Sequence, residues 1–183
     1  CDTLPYGDFF EHDIHGFTIL KFSTKVLIFF VPCLFCYTFA AKKYNKMLKF
    51  MSFGSGSCGN CYYIGYDGFG ILIDAGIGIR KLKKYFSDYG LSLNDIKCVL
   101  VTHDHADHVK TVGMVSKMLN VPVYATAKVH EGIGKNYCVK KKIDIANVRN
   151  ICQGEDFVLG DFIVSAFHIP HDSLDNVGFE IKY

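Results

Sequence analysis

Between Thr102 and His108 the chain reads Thr-His-Asp-His-Ala-Asp-His, three histidines and two aspartates in seven residues. The stretch follows directly on the apolar run Cys98 to Val101. Imidazoles and carboxylates are seldom set against a core without partners, because removing them from water is costly. A divalent metal ion is the partner that satisfies so many at once. At the end of a strand, His103 and His105 are two residues apart and point to one side. Asp107 and His108 follow at the turn into the next helix and face a second point nearby. Two histidines on one ion and an Asp–His pair on another is the natural division. Neutral imidazole and carboxylate suit Zn²⁺, Mn²⁺ or Fe²⁺. Two ions roughly 3.5–4 Å apart would hold an attacking water between them and polarise a substrate oxygen. Asp107 would both bind the second ion and orient or deprotonate that water. A chance arrangement would have to reproduce four positions to give this pattern.

The elements around the stretch follow from hydropathy and turn residues. From Met47 onward the pattern is regular. Strands are expected at 48–53, 61–64, 70–74, 96–102, 121–125, 148–152, 157–159, 162–167 and 177–183. A helix is expected over 77–89, with Ile79, Leu82 and Phe86 on one face and Arg80, Lys81, Lys83 and Lys84 towards solvent, closed by Gly90. A second amphipathic helix is expected over 107–119, and a short one within 126–137. The cluster therefore sits where a buried strand passes into a helix.

The 183 residues suffice for one domain with a sizeable core. Half are apolar and 21% are charged, which excludes a disordered chain. A formal charge of +2 identifies no nucleic-acid binder by itself. The eight cysteines are dispersed, without a compact disulfide framework, and read as reduced thiols of a cytoplasmic protein. Cys58 and Cys61, taken with Cys33 and Cys36, mimic the spacing of a four-cysteine zinc site. That reading is disfavoured, because Cys33 and Cys36 lie in an apolar segment.

Residues 1–46 differ in character from 47–183. Val26 to Ala41 is sixteen residues without a charge, flanked by lysines. A bilayer span needs about 20 apolar residues, and reaching that length over 17–41 admits two lysines. Three readings compete: a membrane anchor, an apolar packing segment, or an extension not native to the domain that opens at Met47. The last is favoured.

The residues of the cluster also carry a resemblance. Thr102 to His108 resembles the His-x-His-x-Asp-His signature of the metallo-β-lactamase fold. The segments 48–64, 71–76 and 168–179 narrow it. Together they resemble the YycJ/WalJ branch, nuclease-like hydrolases related to the ribonuclease J and ribonuclease Z groups. The resemblance runs from Met47 to Tyr183. It implies an α/β protein, a four-layer αββα sandwich of which the N-terminal half to two-thirds is present. It implies two divalent ions, Zn or Mn. His103, His105 and a later histidine would bind the first; Asp107 and His108 would bind the second. By its spacing to Gly178 the later histidine matches His171, with His168 as the alternative. Asp74 matches the family's first-motif aspartate, which orients the metal loop without binding the ion. A bridging Asp and a final His are expected beyond Tyr183, so five of seven ligands are within the chain.

The resemblance implies hydrolysis of a phosphodiester in nucleic acid, in the manner of an exonuclease. The basic runs Arg80 to Lys84 and Lys140 to Lys142 could contact phosphates, although a solvated face is the plainer reading of each. Two alternatives remain. One is a hydrolase of thioesters, lactones, β-lactams or cyclic phosphodiesters; the other is an inactive fragment that keeps part of the metal site.

Overall fold

A computed structural model describes residues 47–173 and 175–183, with the backbone of three short strands, Asp13–Ile14 (β1), Phe17–Lys21 (β2) and Leu27–Val31 (β3). The sheet that carries the His/Asp loop is built in chain order from Lys49–Gly54 (β4), Cys61–Tyr66 (β5), Phe69–Ile73 (β6), Ile96–Leu100 (β7), Val123–Ala125 (β8) and Val148–Asn150 (β9). The first three form an antiparallel meander, and β6 through β9 are parallel. Parallel neighbours need crossovers. These are supplied by helices Ile79–Asp88 (α1), Ala106–Val109 (α2), Val112–Leu119 (α3) and Ala127–Lys135 (α4). The second sheet adds Asp156–Leu159 (β10), Phe162–His168 (β11) and Val177–Lys182 (β12), in the order β1-β2-β3-β12-β11-β10.

Strand periodicity divides the core in two. Cys61, Tyr63, Leu72, Val99 and Val101 face the helices, where Leu82, Phe86, Val112 and Val115 meet them. Their neighbours Tyr62, Ile64, Ile71, Ile73, Cys98 and Leu100 face Phe162, Val164, Phe179 and Ile181 of the other sheet. Each such fully buried side chain contributes about 1.5–3 kcal/mol relative to exposure. The described residues thus give helix, sheet and sheet, three layers of the expected sandwich. The strand pattern of the first sheet is apolar on both faces because both faces are covered.

Two differences from the expected elements matter. The helix expected over 107–119 is broken into α2 and α3 at Lys110 and Thr111. Thr111 gives its backbone N–H to Ala75 O (2.9 Å), and its hydroxyl shares one proton between Ala75 O and Ile77 O (3.0 and 2.9 Å). These bonds pin the helix start against the β6–α1 turn, a long-range constraint that periodicity does not register. The anchor reading of 17–41 falls partly on β2 and β3, which are strands; its remaining residues lie outside the described ones. No helix among the described residues is long and apolar enough to cross a membrane.

Candidate metal centre

β6 and β7 are parallel, with Leu72 opposite Val99 and Ile73 opposite Leu100, so both strands end at the same edge. Asp74 leaves β6 there, and Thr102 to His108 leaves β7. Asp74 is fully buried and adopts a left-handed backbone, φ 57°, which an aspartate tolerates better than most residues. Its N–H donates to Leu100 O (2.8 Å), and the next residue, Ala75, donates to His108 O (2.7 Å). The turn after β6 is therefore bonded directly to the His/Asp loop.

The Asp74 carboxylate organises that loop. Oδ1 accepts the Thr102 N–H (2.9 Å), and Oδ2 accepts the Thr102 hydroxyl (2.9 Å) and His108 Nδ1–H (2.6 Å). The single hydroxyl proton of Thr102 goes to Asp74, so its oxygen is an acceptor for His103 Nδ1–H at 3.0 Å. Both histidines then carry the lone pair on Nε2, the nitrogen a metal requires. His103 Nε2 is buried and has no hydrogen-bond partner. Burial, then the nearby His108, holds the His103 pKa down at about 3, against a partial rise from Asp74. An imidazole kept neutral, with a buried unpaired lone pair, fits a divalent cation.

His103, His105 and His171 each offer a nitrogen, and these nitrogens lie within 4.8 Å of one another. His105 is the residue before α2, and its carbonyl accepts the N–H groups of His108 and Val109 (2.9 and 3.1 Å). His171 arrives from the other sheet. The β11–β12 turn is closed by Asn176 O, which accepts Ile169 N–H, and by Asn176 Nδ2 donating to Ile169 O (3.2 and 3.0 Å). Val177 N–H then donates to Thr102 O (3.0 Å), fastening this turn to the His/Asp loop. His171 Nδ1 stands 2.8 Å from Asp172 Oδ1, which leaves its other nitrogen for the cluster. His168 is exposed at the end of β11, outside this group.

Asp107 and His108 lie together at the start of α2, with Asp107 Oδ2 3.6 Å from His108 Nε2. For His108, burial lowers the pKa, but Asp74 and Asp107 outweigh it and raise the value. A residue absent from the sequence reading joins the pair. Asn60, in the loop after β4, places Nδ2 3.0 Å from Asp107 Oδ2 and 2.9 Å from His108 Nε2. Its position in Gly54 to Asn60 could have been flagged, since that loop must reach the same sheet edge. Gly76 has to lack a side chain, because a Cβ there would fall 1.5 Å from Asp107 O.

The five described cysteines, Cys58, Cys61, Cys98, Cys138 and Cys152, are free. Cys61 is buried on the helix-facing side of β5 and Cys58 is exposed; Cys33 and Cys36 lie outside the described residues. The basic runs are partly engaged. Lys84 pairs with Asp88 at 2.5 Å, Lys81 lies over the Tyr85 ring, and Lys142 caps two backbone carbonyls.

Comparison with known proteins gives a consistent pattern. A family model described as a β-lactamase superfamily domain matches residues 70–183. The chain is 31% identical over 128 residues to an exodeoxyribonuclease YycJ of Bacillus anthracis, covering 70% of this chain and 47% of that protein. It is 26% identical over 126 residues to an exodeoxyribonuclease WalJ of Streptococcus pneumoniae, covering 69% and 46%. The chain thus spans just under half the length of these relatives. Among solved structures it is similar to BJP-1, a subclass B3 metallo-β-lactamase of Bradyrhizobium japonicum. There the TM-score is 0.61 at 21% identity, covering 75% of this chain and 55% of that one.

Proposed function

The chain belongs to the metallo-β-lactamase superfamily, and from that premise we propose that it is a metal-dependent phosphodiesterase acting on nucleic acid. The observation that carries the hydrolase reading is the convergence of His103, His105 and His171, with His103 Nε2 buried and unpaired. The nucleic-acid reading draws on similarity to relatives named as exodeoxyribonucleases. The likeness to β-lactamase structures supports the fold alone.

His103, His105 and His171 would hold one divalent ion, and Asp107 with His108 a second, Zn or Mn by donor type. Bound ions supply Lewis acidity and lower the pKa of water. The residues themselves do the positioning. Asp74 fixes the His108 ring through Nδ1 and, by way of the Thr102 hydroxyl, the His103 ring. Asp107 would orient the attacking water or take its proton. A cytoplasmic location accords with the free thiols of the five described cysteines.

The test is release of nucleotides from end-labelled single-stranded DNA or RNA by the full chain with Mn²⁺ or Zn²⁺. Loss of release in His103→Ala and His105→Ala is expected. Cleavage unchanged in both variants would overturn the assignment. Turnover of a thioester or β-lactam with no action on nucleic acid would favour the small-substrate alternative.

A further inference from the structure

A groove leads away from the cluster along one side of α3 and α4. Its near part is lined by Asp104, His105 and Lys135, and its far part by Lys110, Lys140 and Lys141. Tyr137 and Cys138 line both parts, so the two adjoin at this residue pair.

The loop 136–142 that forms the wall is held in place by bonds that leave these side chains unused. Asn136 Nδ2 donates to Asp104 O (2.7 Å), within the His/Asp loop, and Asn136 Oδ1 accepts Cys138 N–H (2.9 Å). Lys142 Nζ donates to Ile133 O and Asn136 O (3.1 and 2.7 Å). Val139 is buried, and Lys141 O approaches so closely that a Cβ on Gly113 would lie 1.9 Å from it. On this fixed frame Tyr137 is 85% exposed, and Lys140 and Lys141 point to solvent. The core gains nothing from such a tyrosine. Lys117 lies close enough to Lys141 to lower its pKa, a like-charge contact that an anion between them would relieve. The lysines of α1 differ, since Lys84 and Lys81 already have partners.

We propose that this groove binds a single strand of nucleic acid, with Lys110, Lys140 and Lys141 on its phosphates and Tyr137 stacked on a base, and guides it past His105 to the metal centre. The occupant follows from chemistry. Cations carried on a fixed loop suit a repeating anion, and an exposed ring beside them suits a base whose face is open, as in a single strand and not a duplex. The proposal rests on the nuclease reading for its destination, though not for its binding residues.

The experiment measures anisotropy of labelled single-stranded DNA and RNA with the full chain in chelator, where cleavage cannot intervene, across a salt series. In the combined variant Lys110→Glu, Lys140→Glu, Lys141→Glu, the slope of log affinity against log salt should shrink by about 2, at roughly 0.7 per lost phosphate contact. Tyr137→Ala should weaken binding about tenfold with little change in slope. The control Lys49→Glu, Lys84→Glu, Lys97→Glu, on other surfaces, should keep the wild-type slope. Absence of binding by the wild-type chain, groove variants with wild-type affinity and slope, an equal fall in the control, or a blunt duplex bound as tightly as a strand would each overturn the proposal. Groove-dependent binding without metal-dependent cleavage would uphold the groove and remove the nuclease reading. Cleavage by groove variants that bind as the wild type does would have the opposite meaning.

Discussion

Asn60 Nδ2 lies 2.9 Å from His108 Nε2. The orientation of this amide is set from behind, because Asn60 Oδ1 accepts the Gly56 N–H at 2.9 Å and only the oxygen can do so. The NH₂ therefore faces Asp107 and His108, the pair proposed for the second ion, and occupies their acceptor atoms. In Asn60→Asp the amide becomes a carboxylate next to that of Asp107. Without metal the two anions repel; with a divalent ion they share it. The variant should have a lower Tm than wild type in chelator and a larger gain in Tm on adding Zn²⁺ or Mn²⁺. Equal gains in the two proteins would refute a position for Asn60 at the second ion.

Asp74 makes a sharper prediction, since three donors converge on a carboxylate with no exposure to water. Asp74→Asn would turn one oxygen into an NH₂ facing a donor, leaving buried polar groups unpaired at a cost of about 1–3 kcal/mol each. It also loses the charge that holds His108 Nδ1–H. Urea unfolding should show a stability loss of about 2–4 kcal/mol, and metal affinity by equilibrium dialysis should fall about 10–100-fold. A variant with wild-type affinity would remove Asp74 from the account.

The His/Asp loop was legible in sequence because its chemistry is local: the residues 102–108 are contiguous and no folding is needed to bring them together. The strands of the first sheet were legible because each is an apolar run bounded by turn residues. The break at Thr111 and the role of Asn60 were not, because each depends on bonds spanning more than thirty residues. The need for glycine at 76 is of the same kind, since only the approach of Asp107 O reveals it. In sequence the choice between His168 and His171 depends on family spacing; in the structure the His171 nitrogen lies within 4.8 Å of those of His103 and His105, and His168 is exposed.

The metal-free protein should lose stability on mild acidification, and His103 gives the sign. Its folded pKa is about 3, below the value of about 6.5 for an unfolded histidine. The unfolded chain therefore binds the extra proton first as pH falls. The contribution is fully present above about pH 6.5 and is lost progressively towards pH 3, at up to ~1.4 kcal/mol per unit. His108, whose folded pKa is raised, works in the opposite sense: its contribution is present below about 6.5 and is lost as pH rises through the folded value. Urea midpoints of the metal-free wild type and His103→Gln should be compared between pH 7 and 4.5. The variant should show a shallower decline; parallel curves would mean that His103 does not carry the linkage.

His171 and His168 offer the most direct test of the first ion's ligand set, because they sit three residues apart and differ in surroundings. His171 is half-buried against His103 and His105, with ring centroids 4.8 and 5.0 Å away. His168 is exposed at the strand end. Removing one of three nitrogens around an ion leaves a partly dissatisfied site, whereas trimming an exposed ring changes stability by about 0.5 kcal/mol or less. His171→Ala should therefore weaken Zn²⁺ or Co²⁺ binding at least tenfold, while His168→Ala binds as the wild type does. The visible bands of bound Co²⁺ add a readout independent of turnover, because losing a nitrogen ligand alters their position and intensity. Reversal of the two results would move the third ligand to His168 and would require the 169–176 turn to rearrange against the bond from Val177 to Thr102.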